Sequence, residues 1–431
     1  MSEKAKTPRM DPRAPKGTMD ILPPESARRR RVVEAALSLF RAYGYREIVT
    51  PIFEYTEVFA RGIGEGTDIV QKEMFTFVDK GGRSLTLRPE ATAGVARAFV
   101  QHRLDASGLP VKLYYHGPMF RHERPQAGRF RQFSQLGVEL MGSASPGSDA
   151  EVIALCAEFF AGIGVKVDPV MNSVGDADCR PAYVEALKGY LEESLDELCE
   201  DCRRRARTNP LRVLDCKTPK CSGVVKGAPE LGEYLCEACR SHRDAVERLL
   251  AAAGVSFRRD GRLVRGLDYY TRTVFEFQDP ELGGQNALAA GGRYDHLVEE
   301  LGGKPTPAVG FSIGLDRVML AGPETGEEAG GGVYVVAIGE EARTKAFALA
   351  QKLRKAGIRA DLDHMGKSAK AQMRDADKGG FSLVVIVGEE ELEGSFVTLR
   401  DLESGSQERV DEDALVEGAA GRLRGAAGSA V

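Results

Sequence analysis

The stretch KLYYHGPMFRHERPQAGRFRQFSQLGVELMG, residues 112–142, decides the fold of the first part of the chain. Its two ends, 112–122 and 129–142, alternate apolar and polar residues in the manner of strands. They flank ERPQAG, a short sequence rich in turn-forming residues. This arrangement predicts an antiparallel pair of strands.

One face of the second predicted strand is a candidate binding surface. With a period of two it carries Arg129, Arg131, Phe133, Gln135, Gly137 and Glu139. An unpaired carboxylate such as Glu139 is costly inside an apolar run, which favours a site over a solvated strand, the alternative interpretation. Residues 111–133 also carry five basic side chains against one acidic one. Arginine forks bind phosphate oxygens bidentately, so a phosphate is the expected ligand.

The composition is typical of a soluble globular protein. The 431 residues are 42% hydrophobic and 29% charged, with a net charge of −5, and this length predicts two or three domains. No apolar run approaches the roughly 20 residues that span a bilayer, and the basic N-terminus lacks the apolar core of a secretory signal. We therefore expect a cytoplasmic protein without a membrane partner, in which only a local basic groove binds nucleic acid.

The patterns change along the chain. Residues 1–15 are expected to be a disordered lead, and 16–325 mix helices and strands around a mostly helical, cysteine-rich insertion at about 176–260. A Gly- and Glu-rich linker, 321–332, then precedes a β-α-β-α-β alternation within 333–431. That alternation predicts a small α/β domain with a mostly parallel sheet.

The insertion carries a candidate metal site. Six of the eight cysteines lie between positions 199 and 239 and include two CxxC pairs. Two such pairs suit tetrahedral Zn²⁺ in a structural role. The first candidates are Cys199, Cys202, Cys236 and Cys239, with Cys216 and Cys221 as alternates, and a set of metal-free thiols remains open. Cys156 and Cys179 are interpreted as buried apolar residues.

Several segments together resemble the histidyl-tRNA synthetase family, bacterial type, of the class II aminoacyl-tRNA synthetases. The three class II motifs are matched by GYREIVTPIFEYTEVF (44–59), FRHERPQAGRFRQFSQLGVE (120–139) and AVGFSIGLDRV (308–318). Two family-specific signatures are matched by LVRGLDYYTRTVFE (263–276) and AGGRYDHLVEELGG (290–303). SLTLRPEATAG (84–94) resembles the histidine-binding segment, with Ala91 where many members have glycine.

The resemblance implies an α+β class II catalytic domain, an antiparallel sheet flanked by helices with a helical insertion, followed by a C-terminal α/β anticodon-binding domain. It implies ATP-dependent activation of L-histidine to histidyl-adenylate and transfer to the 3′ end of tRNA-His, with Mg²⁺ on the phosphates. It also implies a homodimer joined through motif 1. Two alternatives are an inactive histidine-binding regulatory paralogue of the ATP phosphoribosyltransferase regulatory-subunit type, and a tRNA-binding module without catalysis. The C-terminal domain and the intact VRGLDYY signature disfavour the first, and the full set of Arg121, Glu139, Arg265 and Arg317 disfavours the second.

The same resemblance implies roles for individual residues. Arg121 and Arg265 are the catalytic cations at the α-phosphate, although Arg265 has the alternative of a structural ion pair with Asp268. ATP is bound by Arg121, Phe133 and Arg317, with adenine between the last two. The residues implied for histidine are Glu139 and Tyr270 at the imidazole, and Glu90, Ala91, Thr92, Gln135 and Tyr269 around the α-amino group. The tRNA end is assigned to Arg124 and Gln126. Arg129 and Arg131 stay open to ATP or tRNA.

Overall fold

The computed structural model describes residues 12–64, 66–216, 218–282, 286–324 and 331–428, with side chains to 424. The chain divides into two compact units, 1–325 and 326–431. Residues 1–11 of the expected N-terminal lead and 325–330 of the expected linker lie outside the described residues. In the described parts, no helix is long and apolar enough to cross a membrane.

The strands of the first unit form one large and one small sheet. They are β1 (Arg46–Glu47), β2 (Phe53–Tyr55), β3 (Phe75–Val78), β4 (Ser84–Leu87), β5 (Val111–Phe120), β6 (Gln132–Met141), β7 (Asp168–Ser173), β8 (Arg258–Arg259), β9 (Thr271–Gln278), β10 (Ala287–Arg293) and β11 (Ala308–Gly314). Within the described ranges the large sheet has the order β1-β5-β6-β11-β10-β9-β7-β8. Its six inner strands pair antiparallel, and only the short edge strands β1 and β8 pair parallel. The predicted antiparallel sheet is confirmed.

Helices cover the sheet and build the insertion. They are α1 (Glu25–Ala42), α2 (Thr56–Ile63), α3 (Thr92–Gln101), α4 (Pro146–Gly162), α5 (Arg180–Glu193), α6 (Glu200–Thr208), α7 (Ser222–Gly227), α8 (Glu237–Ala252), α9 (Leu297–Glu300) and α10 (Leu315–Leu320). A π-helical turn (Ile69–Glu73) and short 3₁₀ turns (Leu104–Ser107, Leu195–Glu197, Pro210–Val213, Pro219–Cys221 and Leu231–Tyr234) join them. The insertion is mostly helical, as predicted.

The strand pair β5–β6 separates the core from the functional side. The pair is in register from Val111 opposite Met141 to Phe120 opposite Gln132. Leu136 and Val138 are fully buried in a core shared with α1, α4 and α8, because alternate residues of a strand face opposite sides. The connection spans 121–131, which is longer than the predicted turn and places Arg129 and Arg131 before the strand rather than in it.

A second difference concerns the segment 263–278, which the alternation predicts to be one strand. Strand β9 begins only at Thr271, and 263–270 is irregular. Arg272 adopts a left-handed backbone with φ +48°, a conformation that non-glycine residues rarely adopt and that occurs near functional sites. Residues 263–270 are therefore not held by the pairing pattern of the sheet.

The second unit is an α/β domain. Its strands are β12 (Val333–Ala337), β13 (Ala360–Leu362), β14 (Leu383–Val387), β15 (Phe396–Asp401) and β16 (Gln407–Asp411), and its helices are α11 (Ala342–Lys355), α12 (Ala369–Lys378), α13 (Glu389–Glu393) and α14 (Leu415–Gly428). The sheet order is β13-β12-β14-β15-β16. The first three strands are parallel, as predicted, whereas the antiparallel edge strands β15 and β16 were not predicted.

Candidate active site

The first unit contains a cavity of about 720 Å³ over the central strands β6, β10 and β11. Its wall combines a carboxylate-rich closed end with a group of arginines, and the described arginines that line it are Arg121, Arg129, Arg205, Arg212, Arg265 and Arg317. The candidate residues that the sequence spreads from position 90 to position 317 are thus brought together. Convergent polar groups in one concave site are the usual mark of a ligand-binding cavity.

Glu139 lies at the closed end, and each of its carboxylate oxygens accepts one hydrogen bond from a neighbouring side chain. Oε1 accepts a hydrogen bond from the hydroxyl of Thr92 at 2.8 Å, and Oε2 accepts one from the hydroxyl of Tyr294. The side chain is 1% exposed, and this burial raises the pKa of Glu139 to about 8, although both hydrogen bonds oppose the rise. A carboxyl with such a pKa can hold or release a proton near neutral pH.

Gly310 makes room for this carboxylate. A Cβ atom at position 310 would lie 1.9 Å from Oε2 of Glu139 and 2.4 Å from the carbonyl oxygen of Val138. Any side chain at position 310 would therefore displace the carboxylate or separate β11 from β6. Gly291 on β10 is similarly constrained, because its Cβ would lie 2.2 Å from the carbonyl oxygen of Gly310. Both glycines serve the close approach of strands beneath the cavity.

Glu90 is held by the start of α3. Its two oxygens accept hydrogen bonds from the backbone N–H groups of Thr92 and Ala93, at 2.7 and 2.9 Å. Burial raises the pKa of Glu90. Glu90 and Thr92 both line the cavity. Ala91 does not: it is 1% exposed and packs in the core, which corrects its prediction as a cavity residue, because its side chain points toward α3's packing surface.

Gln135 carries an unused acceptor on the cavity wall. Its Nε2 is 3.5 Å from the hydroxyl oxygen of Ser312, whereas its buried Oε1 has no hydrogen-bond partner among the described residues. A buried acceptor without a partner is costly. A donor supplied by a ligand would remove this cost.

Three tyrosines close the same end. The rings of Tyr269 and Tyr270 have centroids 4.7 Å apart, and those of Tyr269 and Tyr294 have centroids 5.6 Å apart. All three line the cavity. Tyr294 lies within the quoted segment 290–303, but no role was predicted for it. Its position next to Glu139 depends on the pairing of β10 with β11, which alternation alone does not reveal.

Arg121 and Arg265 also line the cavity. Nε of Arg121 donates to the carbonyl of Pro89 at 2.9 Å, and its guanidinium carbon lies 5.4 Å from the ring centroid of Phe133. Arg265 forms an ion pair with Glu276 on β9. The alternative pairing of Arg265 with Asp268 is therefore wrong: Asp268 accepts instead from Asn209, at 3.1 Å.

The charges of the other cavity arginines affect the pKa of Arg317. It donates from Nη1 to the carbonyl of Ala287 at 2.7 Å. Burial and then the positive charge of Arg129 lower the pKa of Arg317 to about 10. Arg121 and Arg265 act in the same direction. These effects show that several arginines converge on one part of the cavity, where they can bind an anionic ligand together.

The structure separates the two arginines whose role was open. Arg129 lines the cavity and donates to Oε2 of Glu123 at 2.9 Å. Arg131 is not part of the wall; its backbone N–H donates to the carbonyl of Gly17 at 2.7 Å, and its Nε donates to the Glu123 carbonyl. Arg124 and Gln126 are exposed on the connection between β5 and β6.

Two cavity arginines come from the insertion and were not predicted for the site. Arg205 and Arg212 both pair with Oδ2 of Asp68, at 2.5 and 3.5 Å. Nη1 of Arg212 also donates to the carbonyl of Arg265 at 3.4 Å. Arginines on an insertion helix are usually solvated, so only the tertiary structure identifies these two.

The cysteines form two clusters instead of one. Cys199, Cys202, Cys216 and Cys221 make the first, and Asp176, Cys179, Cys236 and Cys239 make the second. The predicted first set, Cys199 and Cys202 with Cys236 and Cys239, is therefore wrong, because the two CxxC pairs occupy different clusters. Cys179, interpreted as a lone apolar residue, belongs to the second one. All eight cysteines are free thiols.

The wall offers no protein cage for Mg²⁺. Among the described residues, only the two cysteine clusters bring three or more metal-ligand groups together. The cavity carboxylates Glu123 and Glu276 are engaged by Arg129 and Arg265. Mg²⁺ commonly binds through substrate phosphates and water with few protein ligands, and this cavity fits that mode.

Comparison with known proteins agrees with this geometry. The family model described as histidyl-tRNA synthetase matches residues 17–318, and the anticodon binding domain matches residues 332–421. The histidine–tRNA ligase of Halothermothrix orenii is 49% identical over 413 residues, covering 95% of this chain and 99% of that protein. That of Moorella thermoacetica is 52% identical over 408 residues, covering 94% and 96%.

A solved structure shows the same architecture. The apo histidyl-tRNA synthetase of S. aureus superposes with a TM-score of 0.80 at 37% identity, covering 94% of this chain and 99% of that one. The predicted class II fold is thereby confirmed, and the regulatory-paralogue alternative is not favoured. The chain is an aminoacyl-tRNA ligase, and it belongs to the histidyl-tRNA synthetase family.

Proposed function

We propose that this one cavity activates L-histidine with ATP and then passes the histidyl group to the 3′ end of tRNA-His. The observation that carries the proposal is the pairing, in a single cavity, of a buried carboxyl at the closed end with convergent arginines on the wall. The first suits an imidazole and the second suits a triphosphate. The substrates of the family, ATP and histidine, need both.

The arginines act on the α-phosphate. An oxygen of the histidine carboxylate attacks the α-phosphorus and forms a new O–P bond, which gives histidyl-adenylate, while the bond from the α-phosphorus to the pyrophosphate oxygen breaks. Negative charge grows on the α-phosphate oxygens, and fixed cations beside them stabilise the transition state. Arg121 and Arg265 are the proposed catalytic cations. Mg²⁺, when it enters with ATP, would neutralise part of the charge on the leaving pyrophosphate.

Phe133 and Arg317 hold adenine. The aromatic ring offers a stacking face and the guanidinium a cation–π cover. Arg121 lies against the Phe133 ring in the structure. Movement of Arg121 to the α-phosphate then uncovers this ring for the base. The same movement couples binding of the nucleotide to placement of the cation.

The closed end selects histidine. Glu139 and Tyr270 hold the two imidazole nitrogens, and the free Oε1 of Gln135 accepts from the α-ammonium group, with Glu90, Thr92 and Tyr269 around it. An amino acid without an imidazole leaves the buried carboxyl without its partner, and sites of this kind discriminate strongly without editing. Tyr294 joins this set as the donor that orients Glu139.

For the transfer step, the tRNA is proposed to bind to further surfaces outside the cavity. The exposed Arg124 and Gln126 are proposed to contact the acceptor end, and Arg129 is proposed to contact ATP because it lines the wall. The unit 326–431 is proposed to bind the anticodon. Protein synthesis places this activity in the cytoplasm.

A second copy of the chain is the proposed partner in a homodimer. Large apolar side chains are exposed around β2 and β3: Val49, Ile52, Phe53, Tyr55, Phe77 and Val78. Clustered exposed apolar residues indicate an interaction surface. They include part of the motif 1 segment, through which the resemblance implies dimerisation. We further propose that the thiols of the insertion hold zinc in a structural role.

Histidine-dependent exchange between ATP and labelled pyrophosphate tests the proposed activation step. The purified chain is expected to exchange label only when histidine is present. Imidazole-free amino acids serve as controls and are expected to support no exchange. Absence of exchange with histidine, in a folded protein that binds ATP, would contradict the proposal.

A further inference from the structure

The insertion gathers seven of the eight cysteines and one aspartate into two separate clusters. In each cluster the four ligand atoms all lie within 4.8 Å of one another. Cluster 1 is Cys199, Cys202, Cys216 and Cys221; cluster 2 is Asp176, Cys179, Cys236 and Cys239. Each combines two residues of a CxxC pair with two ligands from elsewhere in the chain. The remaining cysteine, Cys156, is buried in a different core.

The sulfur separations distinguish metal binding from a disulfide. Sγ of Cys199 lies 4.0 Å from Sγ of Cys216, and Sγ of Cys179 lies 3.8 Å from Sγ of Cys239. A Zn–S distance of about 2.3 Å in a tetrahedron places neighbouring sulfurs about 3.8 Å apart. A disulfide would need about 2.05 Å. The observed separations match the edges of a tetrahedral thiolate site.

Backbone donors support the sulfurs in both clusters. The N–H of Cys199 donates to Sγ of Cys221 at 3.2 Å. The N–H of Asp176 donates to Sγ of Cys179 at 3.4 Å, and the N–H of Cys239 donates to Sγ of Cys236 at 3.5 Å. Such outer hydrogen bonds orient metal ligands and stabilise thiolate charge. Buried thiols that only fill space do not need them.

We propose that the insertion binds two zinc ions per chain, one in each cluster, with four sulfur ligands in cluster 1 and three sulfurs and the Asp176 carboxylate in cluster 2. Thiolates select Zn²⁺ over the hard cations Mg²⁺ and Ca²⁺. Four protein ligands leave no open position for a substrate or a reactive water, so both sites are structural.

The two ions flank the segment that carries the catalytic residues 265–270. At its start, Cys216 of cluster 1 lines the catalytic cavity, and Arg212, four residues earlier, donates to the carbonyl of Arg265. At its end, Asp176 of cluster 2 accepts from Arg272 at 3.4 Å. Because this segment is irregular, its position depends on such lateral contacts. The zinc ions therefore position the segment without touching substrate.

Arg180 provides a further contact between cluster 2 and segment 265–270. It follows Cys179 directly, and its Nη2 donates to the carbonyl of Tyr270 at 2.5 Å. Loss of the ion from cluster 2 thus affects the histidine end of the cavity, and loss from cluster 1 affects the Arg265 end. This consequence rests on the proposed function, whereas the presence of the two ions does not.

Metal analysis of the full-length chain, purified without added metal and without a histidine tag, tests the ions directly. We expect two zinc ions per folded chain. Cys221→Ser is expected to leave one ion by removing cluster 1, Cys236→Ser to leave one by removing cluster 2, and the matched control Cys156→Ser to keep two. One ion or none in the folded wild-type chain would overturn the proposal, whatever the variants do.

Pyrophosphate exchange then tests the positioning role. Cys221→Ser is expected to lower kcat more than it raises KM for histidine, since it loosens the Arg265 end. Cys236→Ser is expected to raise KM for histidine more, since it loosens the Tyr270 end. Equal losses in both parameters for both variants would overturn the positioning role. A wild-type chain with two ions but no exchange would instead contradict only the proposed function.

Discussion

Tyr294 donates a hydrogen bond to Oε2 of Glu139 across 155 positions of sequence, at the end of the cavity where we propose that histidine binds. The two residues lie on segments that meet only when β6, β11 and β10 pair. Glu139 therefore depends on a residue from another signature for its orientation. This contact and others around the cavity predict the effects of substitutions and of pH on binding, exchange and stability.

Tyr294→Phe is expected to weaken histidine binding by about tenfold, because a buried hydrogen bond contributes about 1 kcal/mol or somewhat more. ATP binding should be unchanged. Isothermal calorimetry with each ligand measures both. Tyr43→Phe is the matched control, since the Tyr43 hydroxyl also donates to a carboxylate, that of Glu158, but on the exterior. Equal affinity for histidine in both variants would exclude the role of Tyr294.

Histidine affinity is expected to be highest between pH of about 6.5 and about 8. Below the imidazole pKa of about 6.5 the free ligand must release a proton, and above about 8 the Glu139 carboxylate must take one up. Between these limits the Glu139 carboxyl and the imidazole of the ligand together carry one titratable proton, both before and after binding. Calorimetry in buffers of different ionisation enthalpy should show no net proton transfer at pH 7 and uptake at pH 9. Glu139→Gln should reduce the uptake and leave only the part that belongs to the α-amino group.

The same group gives a stability signature in the ligand-free protein. The pKa of Glu139 is raised in the folded state, from an ordinary value of 4.5 to about 8. Its stabilising contribution is therefore fully present at low pH and declines as the pH rises toward about 8, because only the folded chain still holds the proton. Urea titrations at pH 5.5 and 8.5 measure the free energy of unfolding. Relative to the wild type, Glu139→Gln should be more stable at pH 8.5 than at pH 5.5.

Arg265→Ala is expected to lower pyrophosphate exchange by roughly 100- to 1,000-fold, the cost of one preorganised charge donor. Histidine affinity should fall much less than exchange, because Arg265 is proposed to act on the α-phosphate. Arg265→Lys keeps the charge but not the fork and should recover part of the rate. Arg258→Ala, which removes an exposed pair with Asp168, is the control. Unchanged exchange in Arg265→Ala would remove this residue from catalysis.

Asp149→Ala is expected to cost about 3–5 kcal/mol of unfolding free energy, since it removes the fully buried carboxylate that faces Arg293 and leaves this buried cation only its pair with Asp295. Asp149 and Arg293 are both fully buried, and Asp149 also accepts from Nε2 of His242 at 3.2 Å. Burial opposes ionisation of Asp149, but the His242 bond and the Arg293 charge lower its pKa. The contribution is thus present at neutral pH and lost on acidification through that lowered pKa. Asp168→Ala, in an exposed pair, should cost less than about 1 kcal/mol by urea titration.

The sequence predicts those parts of the site that lie on regular elements. Period-two alternation places Gln135 and Glu139 on one face of a strand, and the structure puts both on the cavity wall. It does not predict the pairing of strands distant in sequence, so Tyr294 had no assigned role. Alternation also extended β9 back through Arg265, where contacts with the insertion override the strand pattern.

The grouping of the cysteines is likewise not predictable from their spacing in the sequence. Spacing identifies each CxxC pair, because a single turn of chain brings its two thiols together. Which further ligands complete each pair depends on how α5, α6 and α8 pack, and spacing carries no information on that. Cys179 and Asp176 belong to no spacing motif at all. Only the folded insertion shows that the two pairs are apart.

The register of β7 with β9 has a consequence for how this chain tolerates change. Ser173 and Thr273 are register partners one hundred positions apart, and the whole insertion lies between them. The entropy of closing such a loop grows only with the logarithm of its length, at about 0.6 kcal/mol for each doubling. Lengthening or shortening the insertion therefore costs the sheet little. Relatives can vary in this region while keeping the same pair of strands closed beneath the same catalytic segment.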